Sequence, residues 1–300
     1  VNDGAEVAVL VNPTAGRGRR GGVLADVVGR LRAARLVPRV LAAPDREQAQ
    51  QACREAVDRS PAALVAVGGD GTVHLAVQAV AGTDVPLGVV PIGTGNDFVG
   101  ALGLPLEPEA AIKGLVAALT QGQRTVIDLG RASGPGADPL WFGTVLSAGL
   151  DASINERANQ LRWPKGPRRY DLSILAEIAQ LAPHDYKLVL DGETRELTAM
   201  IVAVGNTARY GGGLPVCPTA DPADGVLDLT IIGAIGRATA VKMKSLMRKG
   251  KHVEHPAVST HRVRTLEIHG EPRRTYADGE RALPLPVTVE CVPGSLQLLA

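Results

Sequence analysis

Three short apolar runs, Val7–Val11, Ala63–Val67 and Leu87–Ile92, each break into a loop of glycine and small polar residues: NPTAGRG, GGDGT and GTGND. A strand that is apolar almost throughout needs cover on both faces. The intervening segments supply it. Gly22–Ala34 places Val23, Val27 and Leu31 on one helical face, and Arg46–Asp58, Val73–Val80 and Glu109–Leu119 also read as helices. Arg39–Ala42 and Thr125–Gly130 add strands. This alternation predicts an α/β domain with a parallel sheet. Ligands of such sheets bind at the carboxyl ends of strands, so the three loops are expected on one edge.

The pattern changes near Gly130. Ala132–Pro139 reads as a turn-rich loop, followed by WFGTVLSAG and a helical stretch around Arg169–Leu181. Then come strand-like runs: YKLVLDG, ELTAMIVAVGN, VLDLTIIG, RVRTLEIHG, PVTVECV and LQLLA. Alternation with turn punctuation predicts a mainly antiparallel second domain. The 300 residues accommodate two domains, 1–130 and 131–292.

Composition narrows the function. The net charge is +1 and aromatics make up 3%, which argues against a nucleic-acid partner. Three scattered cysteines suggest neither a disulfide framework nor a metal knuckle. The start lacks the pattern of a signal peptide and no run of about 18 apolar residues occurs, so a cytoplasmic protein is expected.

GRGRRG, Gly16–Gly21, fits the GxGxxG pattern, but Asn12-Pro13-Thr14 intrude before it and no acidic residue ends the second strand. A GxxxxGK[ST] loop is absent. The three loops together suit a phosphate: glycines admit backbone N–H groups, and Asn12, Thr14, Thr72, Thr94 and Asn96 add side-chain bonds. Asp70 inside GGDGT would repel phosphate unless a Mg²⁺ stands between them. Each loop taken alone is also an ordinary turn.

The series NPTAGRG, GGDGT, PIGTGNDF, LGLP, DLG, GGG, DPADGVLD and DGE resembles the bacterial diacylglycerol kinase-like lipid kinases, relatives of sphingosine kinases. The resemblance runs from Val11 to about Leu299. It implies an ATP-binding N-terminal domain on which residues 293–300 pack back, a β-sandwich C-terminal domain and a lipid entering between them. It places nucleotide on Asn12, Pro13, Thr14, Ala15 and Gly16, on Gly69, Asp70, Gly71, Thr72, Val73, His74 and Leu75, and on Thr94; Gly68 and Asn96 join from the loops themselves. Asp221, Asp224 and the Val226 carbonyl match an accessory Mg²⁺ site. Glu280 matches the general base, presented by a turn at Asp278-Gly279, while Asp97 and Asp128 match acids around Asp70; Asp97 alternatively caps a helix starting at Phe98.

The implied reaction moves the γ-phosphate of ATP to the hydroxyl of diacylglycerol, giving phosphatidic acid. Alternatives are a sphingoid base or other lipid alcohol, NAD, or nucleotide binding without catalysis. The chain departs from the family where His74-Leu75 stand for Asn-Glu and Val99-Gly100 for Ala-Arg. A threonine some relatives carry is missing around Ala42-Ala43. A lipid kinase must reach a membrane surface, and two basic stretches with apolar residues suit peripheral contact: Leu161–Tyr170 and Val241–His252. Resemblance also implies a homodimer.

Overall fold

A computed structural model describes residues 3–11, 19–149 and 183–300. The loop at 12–18, the helical stretch around Arg169–Leu181 and the basic stretch Leu161–Tyr170 lie outside the described residues. The chain divides into two units, Val1–Leu129 with Pro293–Ala300, and Gly130–Val292.

The first unit alternates β1 (Glu6–Val11), α1 (Arg19–Ala33), β2 (Val37–Ala42), α2 (Arg46–Asp58), β3 (Ala63–Gly68), α3 (Asp70–Val80) and β4 (Leu87–Pro91), then α4 (Asp97–Ala101) and α5 (Pro108–Gln121). β1 lies between β2 and β3, and β4 flanks β3, all in parallel. β3 and β4 are buried at every position, as their apolar sequences demand. Val7, Val9, Val65 and Val67 pack with Val27 and Leu31 of α1 and Ile112 and Leu115 of α5. On α2, the Asp45 carboxylate caps the helix by accepting from the Gln48 N–H at 2.8 Å, while Ala49, Cys53, Ala56 and Val57 are buried.

The chain leaves this unit within β5 (Thr125–Gly134) and re-enters it within β15 (Val287–Leu298). Leu298 pairs in parallel with Leu87, and Leu299 joins the core of the first unit. Buried Asp128 fastens the returning segment by accepting from the Gly294 N–H at 2.8 Å.

The second unit adds β6 (Ala137–Phe142), β7 (Val145–Gly149), β8 (His184–Leu190), β9 (Glu193–Gly205), β10 (Leu227–Gly233), α6 (Arg237–Arg248), β11 (Val258–Val263), β12 (Thr265–Gly270), β13 (Arg274–Ala277) and β14 (Glu280–Pro284). Its strand pairs are antiparallel. β9 pairs with β8 along its first half and with β7 and β10 along its second, so one strand serves several neighbours. Phe142, Leu146, Leu188, Val202, Leu229 and Leu266 contribute to one apolar core. Cys53 and Cys217 are buried free thiols, each pushed up to about 12 by burial.

Three expected boundaries need correction. Ala132–Pro139 is the tip of a β5–β6 hairpin in which Gly134 pairs with Ala137. RVRTLEIHG is two strands parted at Arg264, where the Asp191 carboxylate accepts from the N–H groups of Arg264 (3.0 Å) and Thr265 (2.7 Å). α3 begins at Asp70 rather than after GGDGT, because Gly69 takes an extended N-cap conformation and an acid is favoured in the first helical turn.

Candidate functional site

In the first unit, Val11 pairs with Val67 and Gly68 with Pro91, which sets the carboxyl ends of β1, β3 and β4 side by side. β1 connects onward to β2 on one side, and β3 stands on the other, so this edge is where the strand order reverses. The loops after β3 and β4 touch backbone to backbone. A Cβ on Gly93 would sit 2.5 Å from the Gly69 Cα, so glycine there serves loop packing as well as any ligand.

Gly69, Asp70, Gly71, Asn96 and Asp97 are partly exposed at this edge, and Thr94 is exposed. Gly68 is buried. The side chains of Thr72, Val73, His74 and Leu75 are buried at 5%, 3%, 2% and 8% exposure. His74 and Leu75, which depart from the family pattern, are thus core positions of α3. Asn12, Pro13, Thr14, Ala15 and Gly16 lie outside the described residues.

Asp70 reaches from α3 to the start of α4, where Oδ1 accepts from the Phe98 N–H at 3.3 Å. The Asn96 and Asp97 N–H groups donate to the same carboxylate. A helix start needs acceptors for its open N–H groups, and Asp70 provides them from another helix. Asp97 is therefore not the cap that a local reading suggests; Asn96 holds the N-cap position with φ 55°. The Asn96 side chain folds onto its own loop, with Oδ1 accepting from the Gly93 N–H and Nδ2 donating to the Gly93 carbonyl, both at 3.1 Å.

Burial raises the Asp70 pKa, and the nearby Asp97 charge raises it further, against the lowering effect of those N–H bonds. The two carboxylates flank one spot: a Cβ on Gly95 would meet Asp70 Oδ2 at 2.7 Å and Asp97 Oδ2 at 3.8 Å. Paired hard oxygens, one of them raised by its neighbour's charge, fit a divalent cation that neutralises both.

In the second unit, β13 and β14 form a hairpin closed by the Ala277–Glu280 pair. Both central residues have positive φ, Asp278 at 53° and Gly279 at 78°. Asp-Gly is the sequence that a two-residue type I′ turn favours. Glu280 is the first residue of β14 and is partly exposed.

The DPADGVLD turn brings Asp221 and Asp224 together locally, and both Asp224 oxygens and Asp221 Oδ1 have partners. Asp221 Oδ1 accepts from the Ala223 N–H at 3.0 Å and Asp224 Oδ1 from the Val226 N–H at 3.2 Å. Asp224 Oδ2 is held by the Arg262 guanidinium. Arg262 lies directly across from Asp228 in the β10–β11 pair, with Nε 3.9 Å from Asp228 Oδ2. Asp228 Oδ1 accepts from Thr219 Oγ1 at 2.5 Å, and burial raises its pKa. An ion bound by Asp224 Oδ2 would have to displace Arg262. No cluster of three His, Cys, Asp or Glu arranged to hold a metal occurs among the described residues. Asp228 closes the DPADGVLD motif, but its pairing with Arg262 is not readable from the sequence, where Arg262 stands in a separate strand-like run.

The diacylglycerol kinase catalytic domain family matches residues 6–132, and the YegS C-terminal NAD kinase beta sandwich-like domain family matches residues 144–300. The chain is 39% identical over 296 residues to a Mycobacterium tuberculosis H37Rv protein named "Diacylglycerol kinase", covering 98% of this chain and 94% of that one. It is 28% identical over 284 residues to a Stenotrophomonas maltophilia protein named "Probable lipid kinase YegS-like", covering 92% and 90%. A crystal structure of a diacylglycerol kinase from Bacillus anthracis superposes with a TM-score of 0.78 at 25% identity, covering 100% of this chain and 98% of that one. With both halves matched and a relative aligned along nearly its whole length, this chain belongs to the diacylglycerol kinase and YegS-like lipid kinase family and is a kinase that uses ATP.

Proposed function

We propose that this kinase transfers the γ-phosphate of ATP to the hydroxyl of diacylglycerol, producing phosphatidic acid. The observation that carries the choice of acceptor is the near full-length match to the mycobacterial diacylglycerol kinase. In the first unit, the backbone of Gly68–Gly71 with Thr94 and Asn96 receives the phosphates. Asp70 and Asp97 would hold a Mg²⁺, whose charge would offset that of the phosphates. In the second unit, Glu280 orients the acceptor hydroxyl and takes its proton as the oxygen attacks the γ-phosphorus. The bond to the bridging oxygen breaks and ADP leaves. Phosphoryl transfer depends mostly on such positioning and charge neutralisation.

Labelled ATP with diacylglycerol, monoacylglycerol, sphingosine and ceramide in mixed micelles, and NAD in solution, tests the assignment. Labelled phosphatidic acid supports it. Label in another lipid alone, or in NADP alone, overturns the acceptor.

In this reading Asp221, Asp224 and the Val226 carbonyl would hold an accessory Mg²⁺, with Arg262 competing for Asp224. Arg262 is 58% exposed along its side chain, so displacing it costs about 0.5–1 kcal/mol. Arg262→Ala is expected to tighten Mg²⁺ binding measured by calorimetry without nucleotide, by about two- to fivefold. Asp224→Asn should abolish that gain. Equal affinity in wild type and Arg262→Ala would remove the competition.

Diacylglycerol resides in bilayers, and α6 offers a matching surface. Ala240, Met243 and Met247 are buried, the two methionines in an apolar cluster with Val145, Met200 and Val216. Arg237, Lys242, Arg248 and Lys249 are exposed, as is Val241 at 59%. No acidic residue occurs between Asp228 and Glu254. Such a helix suits an anionic bilayer, where each basic residue contributes about 1 kcal/mol. Replacing Lys242, Arg248 and Lys249 together by glutamine is expected to weaken partitioning onto phosphatidylserine vesicles by about a hundredfold. Unchanged partitioning would exclude α6 as the docking face. No helix among the described residues is long and apolar enough to cross a membrane.

A further inference from the structure

The Asp278-Gly279 turn has hydrogen bonds that a hairpin does not need. The β13–β14 register is already closed by the Ala277–Glu280 and Tyr276–Arg281 pairs. Thr275 Oγ1 adds a bond to the Leu283 carbonyl at 2.7 Å. The Asp278 carboxylate points elsewhere. Its Oδ1 accepts from the Thr144 N–H at 2.8 Å and from Thr144 Oγ1 at 2.6 Å. Its Oδ2 accepts from the Gly143 N–H at 3.1 Å. The Asp278 N–H donates to the Val145 carbonyl at 3.1 Å.

The Gly143–Thr144 segment is gripped on its other side as well. Its Thr144 carbonyl accepts from the N–H groups of Asn206 (2.8 Å) and Thr207 (3.2 Å), and the Gly143 carbonyl accepts from Asn206 Nδ2 at 3.1 Å. Thr144, Asn206 and Thr207 are at most 2% exposed. Three segments distant in sequence are thus tied into one buried network whose carboxylate member sits two residues before Glu280. Hydrogen bonds to a carboxylate are among the stronger ones, and two donors from adjacent peptides fix direction as well as distance.

We infer that Asp278 is a positioning residue for this reaction: it fixes Glu280 by locking the hairpin turn onto the Gly143–Thr144 segment, with Thr144 and Asn206 as the anchors. This rests on the reading of Glu280 as the group that takes the acceptor's proton. The network sets where the turn stands relative to β7 and β9 of the same unit, and a displacement of about 1 Å in a proton acceptor is enough to cost about a hundredfold in rate.

The test is a kinetic cycle of Asp278→Asn, Glu280→Gln and the double variant, with melting temperatures measured alongside. Asparagine offers a donor where one N–H needs an acceptor. Asp278→Asn is expected to lower kcat by about a hundredfold with the KM for ATP unchanged. In the Glu280→Gln background it should change residual turnover by no more than about twofold, since a base already removed cannot be misplaced. Thr144→Val should lower kcat by about tenfold and Thr144→Ser should restore it. If Asp278→Asn fails to fold, the Thr144 pair carries the same cycle. Losses that multiply beside an inactive Glu280→Gln overturn the positioning role alone and leave a structural tie. Normal turnover by Glu280→Gln overturns the reading of Glu280 and the positioning role with it.

Discussion

Glu280→Gln is expected to lower kcat by about two to four orders of magnitude while leaving ATP affinity within about twofold of wild type. The substitution keeps the size of the side chain and one acceptor oxygen, but the amide cannot take a proton. The residue closes its hairpin through a backbone pair with Ala277, which the substitution leaves in place. The melting temperature should therefore stay within about 2 °C. Single-turnover phosphate transfer and ATP calorimetry on the same preparation separate the two effects. A kcat near wild type would exclude an essential base at this position. Lost ATP binding would instead give Glu280 a part in holding the nucleotide.

The parallel sheet was legible because β1, β3 and β4 are apolar on both faces, a pattern that only a covered sheet satisfies. The antiparallel character of the second unit was legible from alternation and turn residues. The Asp-Gly turn before Glu280 could be read directly, since few dipeptides suit two successive positive φ values. What escaped was non-local. The carboxylate that caps α4 comes from Asp70, 28 residues upstream, and a sequence read for local caps assigns that task to Asp97. Arg262 meets Asp228 only through the register of β10 and β11, which neither strand reveals alone. Thr144 and Asn206 are single polar residues at the ends of two apolar runs, and only the fold brings them to Asp278 and its neighbouring peptide. In GGDGT the glycines suggested a longer loop than exists, because the same sequence also starts a helix.

Asp70→Asn is expected to separate stability from activity. In the unfolded chain the carboxyl titrates near its ordinary 3.8, whereas in the native protein burial and then the Asp97 charge raise it. Between these values the native state binds more protons than the unfolded one. Stability thus falls as pH rises through that window, and the full cost of an ionised Asp70 is present above it. Asparagine removes the cost but keeps one acceptor oxygen for the Phe98, Asn96 and Asp97 N–H groups, so part of the gain is lost. At pH 7 without ligand, the variant should melt at or slightly above wild type, and the difference should vanish below about pH 4. Phosphate transfer should nevertheless drop by about a hundredfold or more, the usual loss when a charge-stabilising group is removed. Adding Mg²⁺ and ATP should reverse the order of melting temperatures. Wild type gains about 2.7 kcal/mol at a ligand concentration of 100 Kd, and the variant gains less because the cation has lost a ligand. A variant that melts several degrees lower without ligand would make Asp70 chiefly the cap of α4. A variant with the same ligand-induced rise as wild type would remove Asp70 from the cation site.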